Sequence, residues 1–205
     1  MTKRFSAKSL KYILFIFFAF VINTSVYSQI RESEMKAILV LNFIKHVSWD
    51  NEAQIMNYQF GYLGTDTATY NAIYRLLSKN QLKGKQIVSK KYDAFQDINS
   101  CNILFIEDKF NKSIVRMWEK CLDLKTLVIT DNYDNELFTM INLVTDRLEK
   151  KIKFTINVSS LELIGVRPNP ELTISGGSII NIRQLYNETK KKLDEEERKV
   201  ASQQA

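Results

Sequence analysis

The chain has 205 residues, with 29 Lys and Arg against 23 Asp and Glu. Residues 1–28 hold four of the basic side chains and none of the acidic ones, so the remainder carries 25 basic against 23 acidic groups. This near balance argues against nucleic acid as a partner, and the length suits one domain with its own core plus an extension.

Residues 1–28 predict a signal peptide. Four basic side chains, Lys3, Arg4, Lys8 and Lys11, precede an apolar run from Tyr12 to Ile22. This run is shorter than the roughly 20 residues of a membrane span and suits the core of an export signal. Cleavage after Ser28 would release a periplasmic protein; an uncleaved N-terminal anchor is the alternative.

Residues 29–180 predict an α/β domain. Helical spacing of apolar residues indicates an amphipathic helix from Glu32 to Val47, and two further helices at Thr69–Ser78 and Lys112–Leu122. Four apolar runs predict strands at Tyr58–Leu63, Gln86–Lys90, Ile103–Ile106 and Thr126–Thr130. Strands that alternate with helices predict a mostly parallel open sheet with helices on both faces.

The pattern changes after Asp131. Met140–Val144 and Ile152–Val158 predict an antiparallel hairpin at one edge of the sheet. A short helix over Ser160–Ile164 follows, and the two prolines in Arg167–Pro170 predict a loop.

Residues 181–205 predict a charged C-terminal helix. Opposite charges lie four residues apart, as in Glu188 and Lys192, which supports a helix. Apolar side chains also repeat every seven residues, at Tyr186, Leu193 and Val200. The complementary positions are polar, so both a solvated helix and a weak coiled coil remain open.

The two cysteines, Cys101 and Cys121, form a candidate disulfide. Cys101 opens a predicted strand and Cys121 closes the helix that follows it. In a strand–helix–strand unit the helix returns toward the start of the strand, which places both residues at one pole. Outside the cytoplasm a disulfide can persist, and two buried thiols are the alternative.

Three of the four predicted parallel strands end in acidic side chains, namely Asp66, Glu107, Asp108 and Asp131. Ligands of open α/β sheets bind beyond the carboxyl ends of the strands, so these acids are candidates to rim a pocket for a cation or an amine. The alternative is that they cap the helices that follow.

The sequence lacks the usual catalytic and cofactor signatures. His46 is the single histidine, and with six glycines there is no phosphate-binding loop and no CxxC pair. These features predict a protein that is not an enzyme and holds no metal or cofactor. His46 beside Trp49 is compatible with a proton sensor, or with simple packing at a helix end.

Several segments together resemble the YfiR family of exported bacterial proteins. The resemblance extends from Met35 to Gly165 and is carried by Lys36-Ala37, Leu41–Phe43, Val47–Trp49, Phe60–Gly64 with Asp66, Gly84–Val88, Ser100–Ile106, Met140–Val144 and Lys153–Asn157. Two positions depart from the family pattern: Asp50 stands where Pro is common, and Phe138-Thr139 stands where glycines are frequent.

The resemblance implies a small periplasmic regulator, often a homodimer. Such proteins bind and inhibit the periplasmic part of an inner-membrane diguanylate cyclase, with disulfide state influencing the interaction. The implied role connects envelope signals to cyclic-di-GMP and biofilm formation.

The leading hypothesis is therefore a non-enzymatic periplasmic regulator that binds an inner-membrane signalling protein. Its candidate contact residues lie in the first helix and in the tail: Phe43, His46, Trp49, Tyr186, Leu193 and Val200. A small-molecule binding module that uses the strand-end acids is the alternative. A hydrolase with a carboxylate pair from Glu107, Asp108 and Asp131 is a third hypothesis.

Overall fold

A computed structural model of the chain describes residues 32–146, 148, 151–175 and 198–199. Its helices are α1 (residues 32–45), α2 (Thr67–Ser78), α3 (Ile114–Asp123), α4 (Val158–Leu163) and α5 (Pro170–Ser175). Its strands are β1 (Val47–Trp49), β2 (Tyr58–Leu63), β3 (Gln81–Leu82), β4 (Lys85–Tyr92), β5 (Ile103–Ile106), β6 (Leu127–Asp131), β7 (Ile141–Asp146), β8 (Lys151–Ile156) and β9 (Val166–Pro168). The predicted signal peptide and nearly all of the predicted charged C-terminal helix lie outside the described residues.

A seven-stranded sheet forms the body of the protein, in the order β3-β4-β2-β5-β6-β7-β8. The five strands from β4 to β7 pair in parallel, whereas β3 and β8 pair antiparallel at the two ends. The predicted mostly parallel α/β fold with an antiparallel edge hairpin is confirmed. Every residue of β5 and β6 is buried, as expected of central strands that are covered on both faces.

Helices α1 and α2 pack against the same face of this sheet. The ring of Phe43 in α1 lies 4.8 Å from that of Phe154 in β8, and the ring of Tyr70 in α2 lies 5.5 Å from that of Tyr62 in β2. The crossovers through α2 and α3 leave β2 and β5 in opposite directions. Because such crossovers are right-handed, α2 and α3 lie on opposite faces.

The prediction of a loop over Arg167–Pro170 was wrong. Val166–Pro168 forms β9, which pairs antiparallel with β1, and Pro170 begins α5. Proline is compatible with both positions, since an edge strand and the first turn of a helix each tolerate a missing N–H donor. The first helix was predicted to end at Val47, which was too long, because α1 ends at residue 45 and Val47 begins β1.

Within the part of the chain that the structure describes, none of the helices combines the length and apolar character that a membrane crossing requires.

Candidate functional site

The sheet reverses its winding direction between β2 and β5. From β2 the chain passes through α2 to β4, and from β5 it passes through α3 to β6, on the other side. Leu63 and Ile106 are neighbours in register at the carboxyl ends of these strands. In doubly wound folds this divergence creates the crevice that receives ligands. The predicted acids Asp66, Glu107 and Asp108 follow these two strands, and Asp131 ends the adjacent β6.

The carboxylate of Glu107 holds the two diverging segments together. It is buried, and one of its oxygens accepts hydrogen bonds from the backbone N–H groups of Thr65 and Asp66, the latter at 2.8 Å. The Lys109 ammonium lies 3.5 Å from its other oxygen. Paired backbone N–H groups at this position in α/β folds attract anions. Here the protein's own carboxylate occupies them.

Gly64 makes this arrangement possible by leaving space. A β-carbon at this position would lie 2.6 Å from Cε1 of Tyr62 and would also collide with the Glu107 carboxylate. A methyl group would therefore displace both side chains, and the absence of a side chain at Gly64 is a packing requirement.

Asp66 is the N-cap of α2, as the alternative interpretation of the strand-end acids predicted. Its carboxylate accepts hydrogen bonds from the backbone N–H of Ala68 at 2.9 Å and from the Thr69 hydroxyl at 2.7 Å. The Thr69 hydroxyl also lies 3.0 Å from that of Ser33 in α1. The hydrogen bonds between Asp66 and Thr69 and between Thr69 and Ser33 therefore connect the start of α2 to the start of α1.

Asp131 forms a buried ion pair with Lys36 of α1. The Lys36 Nζ lies 2.7 Å from Oδ2 of Asp131 and 2.9 Å from Oε1 of Glu32, and Lys36 and Asp131 are 6% and 4% exposed. Burial by itself would lower the pKa of the Lys36 ammonium, but the two carboxylates outweigh it and raise that pKa. Burial likewise raises the pKa of the Asp131 carboxyl against the opposing effect of Lys36. The Lys36 ammonium lies 2.7 Å from the Asp131 carboxylate, and its raised pKa means that it keeps its proton. The two side chains therefore form an ionised pair.

Two polar atoms beside this pair are buried without a hydrogen-bond partner among the described residues, namely the Tyr62 hydroxyl and Oδ1 of Asn111. The amide nitrogen of Asn111 donates to the backbone carbonyls of Asp131 and Asn132. Burial, and next the Glu107 carboxylate, raise the pKa of the Tyr62 phenol far above its ordinary value. The phenol therefore keeps its proton at any physiological pH.

The acidic edge is thus filled from within the chain. The acids were predicted to bind a cation, and the Lys36 ammonium takes that place beside Asp131. The Glu107 carboxylate is the anion bound by the backbone N–H groups of Thr65 and Asp66. Asp108 lies exposed in a 3₁₀ turn and joins neither contact. In the described ranges, no three His, Cys, Asp or Glu side chains are placed to hold a metal ion. Lys36 was not predicted as a site residue from the sequence, where it was named only as part of the Lys36-Ala37 motif of the family resemblance.

The predicted partner contacts in the first helix have different environments. Phe43 and Trp49 are buried, and Trp49 packs on Tyr58 with ring centroids 5.1 Å apart. His46 is partly buried, and its backbone carbonyl accepts a hydrogen bond from Asn169 at 2.7 Å. A partner contact through α1 stays a prediction, and in this arrangement only His46 of the three is accessible to it. Tyr186, Leu193 and Val200 lie outside the described residues.

Cys101 and Cys121 are free, buried thiols in the structure. The Cys101 Sγ lies 2.7 Å from the backbone carbonyl of Ile103, to which it donates a hydrogen bond. Burial raises the pKa of both thiols to about 12. Neither cysteine therefore has the thiolate character of a reactive site in this state, and the predicted disulfide stays a prediction.

A thiol titration separates the two states. For the free-thiol state we expect no reaction of the native protein with a chromogenic disulfide reagent at pH 8, because both sulfurs are buried and protonated. After unfolding in guanidinium without reductant, two thiols per chain should react. No reaction after unfolding, with two thiols recovered on reduction, would instead establish the disulfide.

The fold and this edge define a small doubly wound α/β module whose strand-end crevice is occupied by its own charged side chains. The chain belongs to the YfiR/HmsC-like family, whose model matches residues 33–174, from α1 into α5. The resemblance drawn from the sequence is thereby confirmed. This family comprises periplasmic regulatory domains and is not a known enzyme family. None of the curated proteins compared with the chain matches it.

Proposed function

We propose that the protein is exported with loss of residues 1–28 and acts in the periplasm as a non-enzymatic regulator. It binds the periplasmic part of an inner-membrane signalling protein, such as a diguanylate cyclase, and so influences cyclic-di-GMP signalling and biofilm formation. The observation that carries this proposal is the family match over residues 33–174, which includes the whole seven-stranded sheet.

The geometry of the acidic edge favours regulation by binding over hydrolysis. A carboxylate pair for hydrolysis needs two acids that face a shared substrate position. Glu107 is bound to backbone N–H groups, Asp131 is bound to Lys36, and Asp108 lies in an exposed turn. Glu107 and Asp131 of the hydrolase hypothesis therefore stabilise the fold, and neither of them is free to act with Asp108 as the second acid.

Three further parts of the proposal concern assembly and control. The regulator acts as a homodimer, the Cys101 and Cys121 pair gives it redox control, and the tail over residues 181–205 contributes to partner contact. The burial of both cysteines in the same hydrophobic core supports the second part.

In-cell crosslinking tests the proposal. Tagged protein is crosslinked in the periplasm and the captured proteins are identified by mass spectrometry, in parallel with a variant that lacks residues 187–205. We expect the full chain to capture one inner-membrane signalling protein, and the shortened chain to capture less of it. Recovery of self-crosslinked chains alone would contradict the proposal.

Small-molecule binding is the second candidate, and the buried, unpartnered Tyr62 hydroxyl favours it. A ligand at 100 times its dissociation constant would stabilise the protein by about 2.7 kcal/mol. A thermal screen of amines and metabolites, repeated with Tyr62→Phe, would show a shift that disappears in the variant.

A further inference from the structure

Strand β4 has an open edge. It contains Lys85–Tyr92, and β2 pairs with Ile87–Tyr92 on its inner side. On its outer side β3 pairs only with Lys85 and Gln86. Among the described residues no strand pairs with the outer side of residues 87–92, which we name the β4 edge. Its outward backbone N–H and C=O groups are a template for another strand.

Positive charge is concentrated beside this edge. Residues 79–92 contain five lysines and no acid, in a chain whose charges are nearly balanced after residue 28. Lys83 pairs with Glu52 at 2.6 Å, and Lys91 lies 3.4 Å from the largely exposed Asp93. Lys90 is exposed, with its ammonium 4.8 Å from the centre of the Tyr92 ring.

The edge also presents an apolar contact. Val88 is 45% exposed and lies between the exposed side chains of Gln86 and Lys90, on the sheet face opposite α2. Successive residues of a strand point to opposite faces, so Lys90 and Lys91 place one positive charge above and one below the edge. An added strand would meet both charges.

Edge lysines commonly protect a sheet from aggregation, because they repel neutral and basic strands. An edge that carries only lysines, and no acidic side chains, does not repel a strand that carries carboxylates. Opposite charges directly across neighbouring strands stabilise the pairing. The same side chains that exclude most strands therefore select for an acidic one.

We propose that the β4 edge binds an extended acidic segment of a partner protein, which adds as a strand beside Ile87–Tyr92. Main-chain hydrogen bonds supply the affinity, as in other cases of strand addition, and the lysines supply the selectivity. This inference rests on the proposed function for the existence of a partner protein, and it deepens that function by naming the surface and the chemistry of the segment.

An anionic membrane surface would also be attracted to these lysines. Lipid headgroups, however, do not present backbone donors and acceptors at the spacing of a strand. The open backbone edge and the exposed Val88 therefore favour a protein segment, and the membrane becomes an outcome of the test.

The test uses the full chain and a defined probe, a fluorescent nine-residue peptide of alternating Glu and Val. We expect this peptide to bind, and the amides of residues 87–92 to gain protection from hydrogen exchange. The same peptide with N-methyl groups on alternate residues should not bind, because it lacks the donors for pairing. A peptide with Lys in place of Glu should not bind either.

Charge reversal supplies the matched variants. Lys90→Glu with Lys91→Glu should weaken binding of the acidic peptide about tenfold and create binding of the Lys peptide. Lys153→Glu on β8, the strand at the opposite edge of the same sheet, should leave binding of the acidic peptide unchanged.

Three results would overturn the inference: equal binding of the N-methylated peptide, equal weakening by Lys153→Glu, or binding of phosphatidylglycerol vesicles but not of the acidic peptide. The peptide measurements do not depend on crosslinking in cells. Failure of capture by the unmodified chain would count against the proposed function, and failure of peptide binding would count against the β4 edge alone.

Discussion

Replacing Lys36 by Met is expected to lower the free energy of unfolding by about 3–5 kcal/mol, because it leaves the Asp131 carboxylate buried without its ammonium partner. Methionine retains most of the apolar stem of lysine, so the loss of charge dominates over a loss of packing. Urea denaturation at pH 7 measures the difference.

Two variants control this prediction. Lys45→Met changes an exposed lysine of the same helix, whose ammonium lies 3.2 Å from the Asn80 side chain, and should cost less than about 0.5 kcal/mol. Lys36→Met with Asp131→Leu removes both charges and should recover most of the stability. An equal cost for Lys36→Met and Lys45→Met would show that the ion pair contributes nothing.

The pH dependence of the Lys36 effect has a defined sign. The pKa of Lys36 is raised in the folded state above its ordinary value of 10.5. Its stabilisation is therefore complete below pH 10.5 and is lost as the pH rises through the raised folded pKa. The difference between the unmodified chain and Lys36→Met should stay constant from pH 7 to 9 and shrink above pH 10.5.

Replacing Glu107 by Ala is the second change with a large expected effect, a loss of about 3 kcal/mol. Hydrogen bonds to a charged acceptor contribute about 1.5–3 kcal/mol each. The variant removes the carboxylate acceptor from the backbone N–H groups of Thr65 and Asp66. Chemical denaturation gives the total, and hydrogen exchange should show faster opening at residues 64–69.

Glu107→Gln and Asp108→Ala sharpen this measurement. Gln retains an acceptor oxygen without the charge, so its cost should be smaller than that of Ala. Asp108 is the exposed neighbour, and its replacement should change stability by less than about 0.5 kcal/mol. If Asp108→Ala were as costly as Glu107→Ala, the described contact of Glu107 would not be the cause.

The central strands could be predicted from the sequence because their apolar runs are continuous. The predicted bounds of β2 and β5 are those of the structure, since both strands are almost entirely buried and Gly64 and Glu107 follow their last residues. The pairing of β1 with β9 could not be predicted in this way. Each has three residues, and they are brought together only by tertiary structure across more than 100 positions.

The location of the strand-end acids was also predictable, because parallel strands bring their carboxyl ends to one edge. Their partners were not. A lysine at one position of an amphipathic helix ordinarily indicates a solvated face, and nothing in the local sequence distinguishes Lys36 from Lys45. Only the packing of α1 across the end of β6 places Lys36 beside Asp131.

The contacts that hold α1 on the sheet join residues that are far apart in the sequence. Lys36 bonds to a residue 95 positions later, and Phe43 packs on Phe154 in the last strand of the sheet. The N-terminal part of a chain emerges first during synthesis, so α1 is complete long before the surface that receives it. Contacts of such long sequence separation form slowly. We therefore expect docking of α1 to be a late step in folding. Until the sheet has formed, the apolar face of α1 needs protection from aggregation.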